Sequence, residues 1–226
     1  MTRWTSEFLG AFALVFFGTG AIIVSGSYPG TIPHLAVAVA FGLTVMTMIY
    51  AIGDISGAHI NPAVTIAFWL ARRLPGKDVL PFVACQLLGA LAASGALRLA
   101  FPGHKTLGAS VPSIGIGAAF LFEALLSFML MFVIIHVSQG AKEKGIMAGI
   151  AIGGTVALEA LVFGPLTGAS MNPARSLGPA LVSGTFAGQW IYIVAPIVGA
   201  ALAILSCRIL RDECCTILDT DGGENA

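Results

Sequence analysis

The sequence predicts an all-α membrane protein with six transmembrane helices, two further half-spanning re-entrant helices, and two halves related as an inverted internal repeat. Three observations lead there. Of 226 residues, 57% are hydrophobic and only 10% charged, against about 25% charged in soluble domains. The mean hydropathy is +0.94. Six runs are long and apolar enough to cross a bilayer, and a stretch built on Asn-Pro-Ala occurs twice, at Asn61 and Asn172.

The six runs cover residues 4–25, 35–53, 79–97, 114–137, 145–163 and 188–209. Each is close to the ~20 residues that a spanning helix needs. Backbone facing lipid must satisfy its own hydrogen bonds, so these runs read as helices. They are continuous and do not alternate with period two, which argues against a barrel. The first run continues past signal-peptide length without a clear small-residue cleavage site, so it reads as a span. With an even number of spans, both termini share one side. Placing that side in the cytoplasm puts Arg3, Arg72, Arg73, Lys77, Lys142, Lys144, Arg208 and Arg211 inside and only Arg98 and Lys105 outside, Arg175 apart. That asymmetry predicts a multi-pass protein with cytoplasmic termini, in a plasma (inner) membrane.

Between the spans, Ser56-Gly57-Ala58-His59-Ile60-Asn61-Pro62-Ala63-Val64-Thr65 aligns without gaps to Thr167-Gly168-Ala169-Ser170-Met171-Asn172-Pro173-Ala174-Arg175-Ser176. Glu7 in the first span pairs with Glu123 in the fourth. The halves, about 1–100 and 114–211, have three spans each. An odd number of spans inverts the second half relative to the first. Together they make one channel-like domain over 1–211, followed by a polar cytoplasmic tail, 212–226, expected to be disordered. Each Asn-Pro-Ala opens a short apolar run, 62–70 and 173–181. Proline suits the first position of a helix, where its missing N–H is no loss. Nine residues rise about 14 Å, half of a roughly 30 Å hydrocarbon core. Each short helix can therefore reach the midplane and no further, one from each side. Irregular backbone at that depth is tolerated where it lines a wet cavity, so a water-filled pore is the natural reading. A single Asn-Pro-Ala is most simply a capped turn; two copies at repeat-equivalent sites are not.

With these motifs the chain resembles the aquaporin, or major intrinsic protein, family along nearly its whole length. The runs 41–50 and 168–179 are similar to the plant nodulin-like intrinsic proteins and their bacterial relatives. The resemblance implies an aquaporin-like right-handed bundle, a homotetramer with one pore per subunit, and passive passage of water and small neutral solutes. It also implies an outer constriction of Phe41, Ala160, Ala169 and Arg175, given an ungapped fifth span. Water-selective members usually carry His where this chain has Ala160. The opening should therefore admit glycerol, urea or metalloid hydroxides such as arsenous acid. Glycerol channels usually carry Asp where Ser176 follows Arg175, which speaks against a dedicated glycerol channel.

The pore-centre residues are Asn61, Pro62, Ala63, Asn172, Pro173 and Ala174. Each half-helix presents about half a positive charge at its N-terminus, so two facing tips oppose cations. Asn61 and Asn172 would cap those helices and keep amide donors toward the lumen. A water accepting from both turns its hydrogens toward opposite ends and interrupts a proton wire. Arg175 is costly at membrane depth unless it faces a wet cavity or a partner; snorkelling to the surface is the alternative. Glu7 and Glu123 need hydrogen-bond partners if buried. The family resemblance implies that they hold the loops before the half-helices, and proton coupling is the competing reading. Glu159 could line the pore or bond to a loop. His59 suits packing better than gating. His34 and His104 fall in outer loops with no assigned role, and His136 lies near a span end. Gly10, Gly89, Ala93, Gly149 and Gly153 suit close helix crossings.

Other function classes find little support. A net charge of zero gives no reason to expect a nucleic-acid partner. No nucleophile–base set, phosphate loop or metal-ligand spacing appears, so an enzyme, a cofactor and a metal are not expected. Cys214 and Cys215 read as free thiols rather than a metal site. A secondary transporter remains the alternative, since inverted repeats with broken helices occur there too. It should carry an ionisable site at the midplane, where this sequence places Asn and helix ends.

Overall fold

The computed structural model describes residues 1–138 and 142–210, the side chains of 142–145 excepted. The tail with Cys214 and Cys215 lies outside the described residues. Among those described there are eight helices and no strand: α1 (Thr2–Ser27), α2 (His34–Ser56), α3 (Pro62–Leu70), α4 (Gly76–Ala100), α5 (Ile116–Val137), α6 (Lys142–Thr167), α7 (Pro173–Ser183) and α8 (Ile191–Leu210). Six are long and apolar enough to cross a membrane; α3 and α7 are the short ones. Large apolar side chains such as Leu9, Phe17, Leu43, Leu121, Leu158 and Leu202 stand exposed on the long helices, as a lipid-facing surface requires.

The contacts repeat between the halves. α1 packs on α2 and α4, as α5 packs on α6 and α8. α3 lies against α8 and α4, while α7 lies mainly against α4, so each short helix is held partly by the other half. α2 and α6 join the halves directly. Glycine allows the tightest of these approaches. A Cβ on Gly42 would stand 2.4 Å from the Gly153 carbonyl oxygen, and one on Gly153 would stand 2.6 Å from that of Gly42. Likewise a Cβ on Gly89 would meet the Phe8 carbonyl and one on Gly199 the Ala124 carbonyl, at 2.2 and 2.0 Å. Gly42 and Gly199 have no mark in the sequence that sets them apart from other glycines.

The helix bounds refine those read from hydropathy. α3 spans the expected residues. α7 runs two residues longer, to Ser183, because it ends on Gly184 in the left-handed region at φ 77°, a common helix stop. α6 begins at Lys142, ahead of the apolar run. α8 begins only at Ile191, because residues 188–190 form turns.

Candidate functional site

Both short helices start alike. Asn61 precedes α3 and its side-chain oxygen accepts the Ala63 N–H at 2.9 Å. Asn172 precedes α7 and accepts from Ala174 and Arg175 N–H, at 3.0 and 3.3 Å. Pro62 and Pro173 occupy the first helical turns. The amide nitrogens then cross between the halves: Asn61 Nδ2 donates to the Met171 carbonyl at 2.8 Å, and Asn172 Nδ2 to that of Ile60 at 2.9 Å. An amide has two N–H donors, so each Asn keeps a second one. Both residues line an internal cavity. The two motifs thus meet in the interior, each holding the other's turn.

The loops leading into these helices are strained in the same way. Gly57 and Gly168 lie at φ 88° and 89°, and the non-glycine residues Ala58, Ile60, Ala169 and Met171 also have positive φ. Such backbone persists only where surroundings over-determine it, and here two buried acids do so. Glu7 accepts from Ser56 Oγ, His59 N, Ile60 N and Gln86 Nε2, at 2.7, 3.0, 2.7 and 2.7 Å. Glu123 accepts from Thr167 Oγ1, Ser170 N and Met171 N, at 2.7, 3.0 and 2.9 Å. Both acids are fully buried. With N–H groups committed to the carboxylates, the loop carbonyls are left to other partners, and residues 57–60 and 169–171 line the cavity.

A second cavity opens on the side opposite the termini, bounded by the ends of α1 and α6, the start of α2 and residues 106 and 108–111. The inner and outer cavities share three lining residues: Phe41, Ala160 and Arg175. Ala169 lines the inner one. Arg175 is 2% exposed. Its Nη1 donates to the Gly108 carbonyl at 2.9 Å, and its guanidinium carbon lies 4.9 Å from the centre of the Phe41 ring, within cation–π range. Thus Phe41, Ala160 and Arg175, far apart in sequence, border both cavities, and Arg175 does not snorkel.

Such a helical architecture, with paired Asn-Pro-Ala turns at its centre, narrows the family to one that a direct comparison can test. The major intrinsic protein family model matches residues 1–206. The chain belongs to the major intrinsic protein family. Members are membrane channels and not enzymes, and this chain is a small-solute channel of that family. It is 44% identical over 207 residues to aquaporin NIP1-1 of Oryza sativa subsp. japonica, covering 91% of this chain and 73% of the relative. It is 44% identical over 212 residues to nodulin-26 of Glycine max, covering 93% and 78%. The X-ray structure of the aquaglyceroporin from Plasmodium falciparum shares the fold at a TM-score of 0.83 and 24% identity, covering 91% of this chain and 94% of that one.

Other histidines and acids take places that the sequence left open. In this major intrinsic protein His59 lines the inner cavity, stacks on Phe68 at 4.6 Å between ring centres and lies 3.2 Å from Thr65 Oγ1. His136 Nδ1 lies 2.7 Å from the Phe132 carbonyl. Glu159 does neither of the things expected: it is buried, lies outside the residues lining either cavity, and its carboxylate oxygens have no hydrogen-bond partner. His34 and His104, passed over in the sequence, both make contacts. His34 Nε2 lies 2.8 Å from the Leu161 carbonyl. That carbonyl would ordinarily bond residue 165, which is proline and has no N–H. A proline four residues on was the available signal. His104 Nδ1 accepts the Leu107 N–H at 3.0 Å, inside the segment that reaches Arg175.

Proposed function

We propose that this chain forms a passive pore through which water and small uncharged solutes run down their gradients while protons and ions are held back. Its solutes would include glycerol, urea or metalloid hydroxides such as arsenous acid. One observation carries the reading: the cavity lining combines two chemistries. The first is polar, with Asn61, Asn172, Arg175 and the loop residues on which they stand; the second is aliphatic, with Val45, Ile49, Ile152 and Val156. A small polyhydroxy molecule can slide with its hydroxyls on the first and its apolar edge on the second. A hydrated cation would lose its water along the second and meet a fixed positive charge at Arg175, two features that oppose its conduction. The facing N-termini of α3 and α7 add positive potential at the centre.

Phe41, Ala160, Ala169 and Arg175 act in this reading as the selectivity filter, and the small Ala160 leaves it wide. Asn61, Pro62, Ala63, Asn172, Pro173 and Ala174 form the pore centre. Glu7 and Glu123 serve as scaffold. The functional unit is a homotetramer with termini in the cytoplasm, in a plasma (inner) membrane; a protease-sensitive tag at the N-terminus, cleaved only after cells are opened, checks the orientation.

The deciding experiment measures flux of water, glycerol, urea and arsenous acid through proteoliposomes containing wild type or Ala160→His. The larger solutes should slow markedly while water persists. Unchanged solute flux would remove Ala160 from the filter. Saturable flux driven by a proton or sodium gradient would replace the channel by a transporter.

A further inference from the structure

Residues 101–115 join the two halves on the side opposite the termini, and part of this connection turns inward to the filter. Leu107 is fully buried, with φ 51°, and packs with Ile23 and Leu97. Gly108 follows at φ 72°, with so little room that a Cβ there would stand 2.9 Å from Thr19 Cβ. Its carbonyl is the acceptor for Arg175 Nη1. Beyond it, Ser110 is held through its carbonyl by Gln189 Nε2 at 2.6 Å and through its hydroxyl by Ser176 at 3.0 Å. The near end of the segment hangs on two other contacts. Arg98 Nη1 donates to the carbonyls of Pro102 and His104, at 3.1 and 2.7 Å. The half-buried His104 ring accepts the Leu107 N–H through Nδ1.

That last contact needs a neutral ring. An imidazolium has two N–H donors and no acceptor, so a proton on Nδ1 removes the bond and points a donor at a buried donor. We infer that His104 is a positioning residue for Arg175, acting through Leu107 and the Gly108 carbonyl, and that it makes the outer constriction responsive to acid on that side of the membrane. The inference rests on the channel reading above.

The surroundings set the sign. Arg98 of α4 faces the ring, Lys105 adjoins it in the connection, and α1 presents Gly26 nearby. Residues 20–33 of α1 and the following turn contain no charged side chain. Burial first, and then the Arg98 charge, lower the His104 pKa below its ordinary value of 6.5. The Leu107 bond is therefore fully present above that ordinary value and is lost as pH falls through the lowered one. With the bond gone, the near end of the segment keeps only its Arg98 contacts, and the Gly108 carbonyl is held less firmly toward Arg175. Arg175 then exchanges that carbonyl for the lumen between Phe41 and Ala160, where it narrows the passage.

The test uses cells expressing the full chain, with the two sides of the membrane buffered separately and water and glycerol flux recorded at about pH 7.5 and about pH 5, a range that spans histidine titration. In wild type, acid on the side opposite the termini should reduce flux several-fold, glycerol more than water; acid on the terminal side should leave it unchanged. His104→Asn keeps a short acceptor for the Leu107 N–H and does not titrate in this range. It should match wild type at pH 7.5 and show no acid response. His104→Ala, without any acceptor, should show the low flux at both values. If His104→Asn is not inserted, His104→Gln replaces it under the same criterion. A wild type indifferent to acid, a rise in flux, or an equal acid response in the Asn or Gln variant would overturn the inference. Absence of wild-type flux at pH 7.5 would instead overturn the channel reading itself.

Discussion

The turn that opens α3 and the turn that opens α7 have the same skeleton and different faces. In both, a buried glutamate from the first helix of the same half, α1 or α5, takes two successive backbone N–H groups and one hydroxyl, Ser56 in the first and Thr167 in the second. In both, an Asn caps its own helix and reaches across to the opposite loop. The side chains that follow then diverge: Val64 against Arg175, His59 against Ser170, Gln86 beside Glu7 with no counterpart beside Glu123. Because the carboxylates hold residues 59–60 and 170–171 through backbone N–H groups, the side chains at those positions can vary without loosening the turns. The backbone grip is common to both turns, while Val64 and Arg175, and His59 and Ser170, differ along the cavity lining.

Removing the grip should have the largest effect. Glu123→Ala leaves Thr167 Oγ1, Ser170 N and Met171 N without their acceptor, and an unsatisfied buried donor costs about 1–3 kcal/mol. Glu7→Ala should do comparable damage, and neither variant should be recovered as a monodisperse protein in detergent. One variant folding normally while the other fails would break the equivalence of the turns. Arg175→Val comes next, since it copies the first-half residue Val64 into the second half. Proton or cation leak measured with a pH-sensitive dye should rise by at least about tenfold, equivalent to about 1.4 kcal/mol of lost barrier, with folding retained. An unchanged leak would move the cation barrier from the filter to the centre. Removing a cap should cost about 1 kcal/mol. Asn172→Ala, which frees two N–H groups, should lower the thermal midpoint more than Asn61→Ala, which frees one; the reverse order would contradict the hydrogen bonding. The smallest change should be a gain. Glu159→Met places the first-half residue, Met48, at its repeat position, and removes two unpartnered buried oxygens. Its thermal midpoint should rise, by the equivalent of about 1 kcal/mol, and a fall would reveal a partner for Glu159.

Much of this was legible in the sequence, because membrane proteins write their constraints locally. Continuous apolar runs mark the spans, and a proline after a capping Asn marks where each short helix begins. The inverted relation follows from the odd number of spans per half. Hydropathy marks hydrocarbon rather than helix, so the charged start of α6 and the turns before α8 differ from the apolar runs by a few residues. In the sequence only the resemblance groups Phe41, Ala160, Ala169 and Arg175, since nothing local ties α2 to α6. What stayed hidden depends on the register between elements. Gly42 matters because Gly153 stands opposite. His34 matters because Pro165 leaves Leu161 without a donor on a neighbouring helix. His104 matters because a connection without regular structure dips back into the protein.

The exchanged amide contacts at the centre carry a consequence for assembly. Asn61 completes the loop of the second half and Asn172 that of the first, so neither three-span fragment contains all the partners its own midpoint requires. Severed within residues 101–115, the two pieces should be inert when made singly and regain conduction only when produced together, each serving as the template on which the other closes.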